Sequence, residues 1–492
     1  MDKGILKNVG INLIGLVLPT FVSLVTVPSY IKALGVERYG VVALVWVLIG
    51  YFGILDLGMS MAAQNHISKA RASADKDECA RVFWSATWLN FTSGVVGGLV
   101  IYFGTFLYTS YFAKVSPAMQ HEVYAALPWL AIAIPISNVS WVFAGAINGA
   151  EKFGSYNTYQ TIGTFLFQML PLAAAWWIGP TLPNVLAAAV VARTIAAVLL
   201  GRSALKVLDI RKMMPPQFGV AKGLFSFGGW MLVTSLMLLI AESADRVLVG
   251  SALGARFVTY YSVPQNLVTR LNMVPNAMVR TLFPRISALN RENADAIMRQ
   301  SLEFLNGAFT PIMLVAMLVL EPFLHLWVGN EVASAGGPVG RILIIFVWLT
   351  GQANLARILI QAQVHPSIAA RVALIETPLF AGAIWAGVHY FGLTGAAVAV
   401  AARGLFDYLA LLGLSRIHAR PIVLDMAAHL VFLLATLWLS TLATTIPLVA
   451  AAMVLVVGAN VAWSLTMTPA LRDLARSALG RLVRMYSRRN AS

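Results

Sequence analysis

The 492-residue chain is 59% hydrophobic and 11% charged, less than half the charged share of an average soluble domain, about 25%, so it belongs in a bilayer. Its single cysteine, Cys79, excludes an internal disulfide and a thiolate metal cluster. A net charge of +15 would direct a soluble chain to nucleic acid; in a membrane chain it is apportioned between the two sides, and no nucleic acid is expected as a partner.

Apolar stretches of about 20 residues, the length that crosses a bilayer, recur from Ile11 to Met467. The predicted spans are 8–31, 39–68, 80–109, 123–148, 157–178, 184–208, 222–250, 258–285, 297–320, 339–361, 368–390, 393–417, 426–446 and 449–467. The first is too long for a signal-peptide core and has no small-residue cleavage site behind it, so it is expected to remain as a helix. With the N-terminus inside, inner loops collect Lys69, Arg71, Lys76 and Arg81, then Lys152, then Arg202, Lys206, Arg211, Lys212 and Lys222. About 26 of the 35 Lys and Arg fall inside and about 5 outside, which predicts that both termini are cytoplasmic. An even number of spans preserves that asymmetry. The tail from Pro469 to Ser492 alternates Leu471, Leu474, Leu482 and Met485 with Arg472, Arg476, Arg484 and Arg488, the pattern of a basic amphipathic helix on an anionic inner leaflet.

A repeat is visible. Ala33-Leu34-Gly35-Val36-Glu37-Arg38-Tyr39, after the first span, has a counterpart in Ala252-Leu253-Gly254-Ala255-Arg256-Phe257, after the seventh. Six spans separate the two turns, an even number, so two halves with the same orientation are expected, enclosing substrate between them. This predicts an all-α integral membrane protein with an N-terminal six-helix bundle (1–210), a second six-helix bundle (211–420), two additional helices (421–467) and a cytoplasmic tail (468–492).

The set Asn12, Pro28, Tyr30, Leu34-Gly35, Glu37, Tyr39-Gly40 and Asp56-Leu57-Gly58 resembles the N-terminal signature of the Wzx-type polysaccharide-biosynthesis flippases, within the multidrug, oligosaccharidyl-lipid and polysaccharide exporter superfamily. Echoes follow in Gly145-Ala146-Ile147-Asn148-Gly149, Ala244-Asp245-Arg246 and Leu326-Trp327-Val328-Gly329, the last placed in an outer loop. The resemblance implies a fold of two six-helix bundles around a cavity. It also implies a function: moving an oligosaccharide on a polyprenyl diphosphate to the outer leaflet, for surface polysaccharide made with glycosyltransferases and a polymerase. Membrane lipids are the surroundings, no cofactor is implied, and coupling to protons or sodium stays open.

Ionisable groups inside spans cost about 2.5–3.5 kcal/mol each on insertion scales and therefore face protein, water or substrate. Arg270 and Arg193 have no acid one turn away, so each needs an acid from another helix or an anionic ligand such as a diphosphate, which suits the guanidinium fork. Arg403 is a third cavity candidate, although Asp407 stands four residues on and offers a local ion pair. Asp56, Glu242, Asp245, Arg246, Glu376 and Asp407 are candidates for coupling or gating. Against these stand structural readings: Glu242 paired with Arg246, Asp56 at a helix irregularity, and the arginines in interhelical salt bridges.

No nucleotide-binding loop, zinc-hydrolase motif or serine or cysteine hydrolase signature occurs. A membrane polymerase or ligase would need a sizeable outer segment with catalytic acids or bases, whereas 322–338 carries only His325 and Glu331. Transport is favoured over catalysis. A cation-coupled multidrug exporter and a lipid II exporter are the alternatives within transport; buried arginines count against cationic drugs.

Overall fold

The computed structural model describes residues 22, 24–51, 59–72, 75–111, 116–150, 152–217, 243–287, 289–364, 366–415, 417, 419–442, 446–468 and 471–472. The elements in these residues are helices, and a described helix overlaps each of the fourteen predicted spans. They are α1 (Leu24–Leu34), α2 (Val36–Tyr51), α3 (Met59–Ala72), α4 (Lys76–Tyr111), α5 (Pro117–Gly149), α6 (Phe153–Trp177) and α7 (Leu182–Leu208). Then come α8 (243–252), α9 (Ala255–Val268), α10 (Met273–Ser287), α11 (Arg291–Val328), α12 (Asn330–Gln363), α13 (Pro366–Leu414), α14 (Ala419–Leu442) and α15 (Ile446–Met467). The chain divides into two compact units, Met1–Thr259 and Tyr260–Ser492.

In the first unit, polar residues set the helix ends. Asp75 Oδ1 accepts from Glu78 N at 2.8 Å at the start of α4, and Ser116 Oγ accepts from Met119 N at 3.3 Å at the start of α5, where Pro117 follows. Small residues let helices approach closely. Gly94 and Gly98 of α4 lie against Pro135 and Ala131 of α5, while Gly145 and Gly149 of α5 lie against Ser60 and Gln64 of α3. A Cβ at Gly145 would stand 2.4 Å from Ser60 O. The motif Gly145-Ala146-Ile147-Asn148-Gly149 is thus a packing surface for α3. Beyond the left-handed residue Asp209 that ends α7, Lys76 Nζ donates to its Oδ2 at 2.8 Å and holds that carboxyl below the usual range.

The two repeated turns have the same construction. Gly35 (φ 79°) joins α1 to α2 and Gly254 (φ 107°) joins α8 to α9, both in a backbone region that glycine occupies without strain. They also touch each other. A Cβ on Gly40 would lie 1.9 Å from Ala255 O, and Thr259 Oγ1 donates to Val36 O at 2.6 Å. Tyr108 Oη of α4 adds a hydrogen bond to Val247 O at 2.8 Å. These contacts draw residues 243–259 into the first unit.

In the second unit α12 is the buried spine, with Trp348 fully enclosed and its Nε1–H donated to Thr310 Oγ1 of α11 at 3.0 Å. Pro264 of α9 and Pro275 of α10 seat on Gly340 and Gly351 of α12. Between the two prolines, each of which removes a ladder hydrogen bond, the helix tightens into a 3-10 turn, Thr269–Asn272. α13 bends at Gly392 (φ 62°, ψ −143°) into two arms, 366–391 and 393–414, which touch at Gly387 and Gly395. α14 and α15 pack on α11. The residues Leu326-Trp327-Val328, expected in an outer loop, form the last turn of α11, and Gly329 (φ 88°) alone makes the turn into α12.

Candidate functional site

The charges that the sequence places inside spans separate by the partners the fold gives them. In the second unit, Arg403 of the second arm of α13 pairs with Glu376 of the first arm, and Arg357 Nη2 of α12 pairs with Asp407 Oδ2 at 2.7 Å. Both carboxylates are buried. Arg403 and Asp407, one turn apart and in electrostatic range of each other, thus belong to a four-charge cluster that includes two bridges between helices. The cause is the bend at Gly392, which folds the first arm back beside the second and brings Glu376 to Arg403. A further buried bridge joins Arg341 of α12 to Glu321 of α11.

In the first unit, the signature turn is bound by its own charges. Arg38 forks onto Glu122 of α5, with Nη2 to Oε1 at 2.6 Å and Nε at 3.0 and 3.1 Å from the two oxygens, and Glu122 Oε2 also accepts from Leu182 N at the start of α7. Glu37 Oε1 accepts from Ser116 N at 3.3 Å. Asp245 is buried and accepts from Arg246 N at 2.7 Å. Asp56 and Glu242 lie outside the described residues, and so does the expected Glu242 to Arg246 pair.

Arg193 stands apart from these pairs. It projects from the middle of α7 into a cavity of about 220 Å³, and among the described residues no carboxylate pairs with it. Its buried Nε has no hydrogen-bond partner. Instead the guanidinium carbon lies 4.4 Å from the centre of the Phe167 ring, a cation–π contact. Phe167 leads into an aromatic cluster: its ring centre is 6.1 Å from that of Trp46, which stands edge-on to Tyr30 at 5.0 Å and Tyr39 at 6.4 Å. Tyr30 Oη is tied to Gln168 O at 2.8 Å, and the Trp46 indole N–H is buried without a partner. Hydroxyl and amide groups complete the wall, from Ser137 and Ser140 on α5 and Gln160 and Thr164 on α6. A larger cavity in the same unit, about 270 Å³, is mostly apolar, lined by Leu44, Val45, Leu127, Leu130, Leu186 and Val247 with a few hydroxyls such as Thr105 and Ser243, and has no basic side chain in its lining.

Arg270 lies in the 3-10 turn between the two seated prolines and is exposed. No ion pair engages it among the described residues. The aromatic and hydroxyl wall around Arg193 was missed at the level of sequence, yet its signal is there. Ser137, Ser140, Trp141 and Ala144 on α5, and Gln160, Gly163, Thr164 and Phe167 on α6, recur at i, i+3, i+4 and i+7, a helical stripe within otherwise apolar spans.

What the helices define is a polytopic membrane protein of the MATE-like fold. The fold matches an inward-facing MATE-family multidrug transporter of the MOP superfamily with a TM-score of 0.70 at 17% identity, over 82% of this chain and 95% of that one. It matches the lipid II flippase MurJ in an inward closed conformation with a TM-score of 0.67 at 13% identity, over 94% of this chain and 99% of that one. Residues 5–290 match the model of the family described as polysaccharide biosynthesis protein, and the chain belongs to that family. A Shigella flexneri protein designated a candidate O-antigen transporter is 26% identical over 418 residues, 83% of this chain and 96% of that protein.

Proposed function

We propose that this protein is a flippase that carries a polyprenyl-diphosphate-linked oligosaccharide from the inner to the outer leaflet by alternating access, in the synthesis of surface polysaccharide. The observation that carries the reading is two arginines that pair with no carboxylate among the described residues, Arg193 in the first unit and Arg270 in the second. A guanidinium held without a counter-ion in a polar cavity suits a diphosphate, which can take its donors in bidentate fashion. Aromatic faces and hydroxyls beside Arg193 suit a sugar. The candidate O-antigen transporter of Shigella flexneri, matched over nearly its full length, supports the same substrate class.

The distribution of Lys and Arg supports an orientation with both termini in the cytoplasm. In that orientation the substrate's negative charge moves outward down an inside-negative potential, which contributes about 2.3 kcal/mol per unit charge per 100 mV. Glycosyltransferases and a polymerase would act before and after this step. Replacing Arg270 by Ala is expected to reduce surface polysaccharide about 10- to 100-fold, the equivalent of one lost charge-assisted hydrogen bond, while the protein remains inserted at wild-type levels. Arg270→Lys should restore part of it, keeping the charge without the fork. Normal polysaccharide in the Ala variant would remove Arg270 from the mechanism.

Lipid II is the second reading, favoured by the fold likeness to MurJ over 94% of the chain. Depletion separates the two. Loss of surface polysaccharide with lipid-linked oligosaccharide retained on the cytoplasmic leaflet supports the first, whereas arrested wall synthesis with retained lipid II supports the second.

A further inference from the structure

In the second unit arginine neutralises the buried carboxylates Glu376 and Asp407 and the half-buried Glu321. Among the described residues no arginine pairs with the half-buried Asp425 on α14. Its side chain is 17% exposed, and its Oδ2 accepts from Asn306 Nδ2 of α11 at 2.7 Å. The group paired with it among the described residues that can become a cation is His429, a turn further along α14, whose Nε2 is 3.8 Å from Asp425 Oδ1. His429 is fully buried, and its Nδ1 lies 3.1 Å from Asn460 Nδ2 of α15. Asn306 and Asn460 are fully buried as well.

A carboxylate facing a histidine differs in kind from one facing an arginine, because the imidazole charge is optional. An uncompensated charge is expensive in an apolar layer, so the pair is held neutral by one bound proton, on the ring or on the carboxyl. Other titratable groups on the neighbouring helices do not supply the missing charge among the described residues. From α11, Glu303 adds negative charge and is itself bridged to Arg299 at 2.9 Å. From α13, Tyr408 brings a buried hydroxyl without a partner, and α15 brings the uncharged Asn460. On α12, Arg341, Arg357 and Glu331 are engaged by Glu321, Asp407 and Tyr260.

The surroundings also fit two protonation states. Asn306 Oδ1, Asn460 Oδ1 and His429 Nε2 are buried without partners. With the Asn460 amide as placed, Nδ1 of the ring accepts from it; with the amide turned over, a ring N–H at Nδ1 donates to Oδ1. Rotation of one amide therefore accommodates a neutral or a charged imidazole.

We propose that Asp425 and His429 form a proton-binding site that holds one exchangeable proton where α14 meets α11 and α15. Losing the proton leaves a net negative charge between α14 and α11 and loosens that contact. The two helices beyond the repeat thereby acquire a function of their own, whatever cargo the bundles carry.

Infrared difference spectra of the purified protein in lipid nanodiscs, recorded across a pH series, test the site without any sugar-lipid. The wild-type protein should show a titrating band, the carboxyl C=O band if the proton rests on Asp425 or the carboxylate and imidazolium bands if it rests on the ring, absent in Asp425→Asn and displaced by at least tenfold in proton concentration in His429→Gln. Identical spectra for wild type and Asp425→Asn at every pH would overturn the proposal. Should Asp425→Asn fail to assemble, Asp425→Glu retains a carboxyl and is expected to move the band; a band indifferent to that change counts against the site. Exchanging sodium for potassium at fixed pH should leave the band unaltered. A band that disappears only in sodium would give the site to sodium instead and overturn the proton.

Discussion

Arg357 and Arg193 show how differently one side chain can be used in this membrane fold. Arg357 is bound to Asp407 between helices, and truncating it strands a buried carboxylate. Arg357→Ala is therefore expected to cost about 3–5 kcal/mol, the usual consequence of breaking a buried pair. Replacing Arg357 and Asp407 together by Leu should recover most of that loss. Thermal unfolding of the detergent-solubilised variants measures both, and a double variant no better than the single would mean that the pair is not the coupling term. Arg193 pairs with no carboxylate among the described residues, so Arg193→Ala is expected to leave the unfolding midpoint near wild type and to lower surface polysaccharide. A large drop in stability from that change would reassign Arg193 to the scaffold.

Helices and their joints carry the sequence signature. Leu34-Gly35-Val36-Glu37-Arg38-Tyr39-Gly40 is a turn that fixes α2 to α5 through Arg38 and Glu122 and lies against the second turn at Ala255. Gly40→Val would drive a side chain into the Ala255 carbonyl. Overpacking costs about 1–3 kcal/mol where side chains can yield, and backbone yields less, so a loss at or above that range is expected in the same unfolding assay. An unaltered midpoint would show that the two turns do not bear on each other. The spans themselves were legible because apolar length and helix-end chemistry are local properties. Partners of the intramembrane charges were not: the pairing of Arg403 with Glu376 depends on the bend at Gly392, and four-residue spacing alone pointed to Asp407. Arg193 was found from its lack of a local acid, but the Phe167 ring that holds it is on another helix and left only a periodic trace.

For the whole molecule, the distribution of bases makes a prediction independent of any site. A fluorescent protein fused after Ser492 should be bright and alkaline phosphatase fused there inactive, since both report a cytoplasmic tail; the opposite pair of results would invert the topology. Orientation in turn decides which way an anion is driven, and here the setting of Arg193 matters. Resting on the face of a ring, it pairs with no acid among the described residues that an arriving anion would have to displace. On the proposed reading, an anionic cargo bound there would cancel a charge the fold left standing, and its departure would expose no carboxylate, among the described residues, to recapture the guanidinium. The empty carrier and the loaded one would then differ in charge at that position. A membrane voltage acts on that difference, so the return of the empty protein, and not only the outward step, would be sensitive to it.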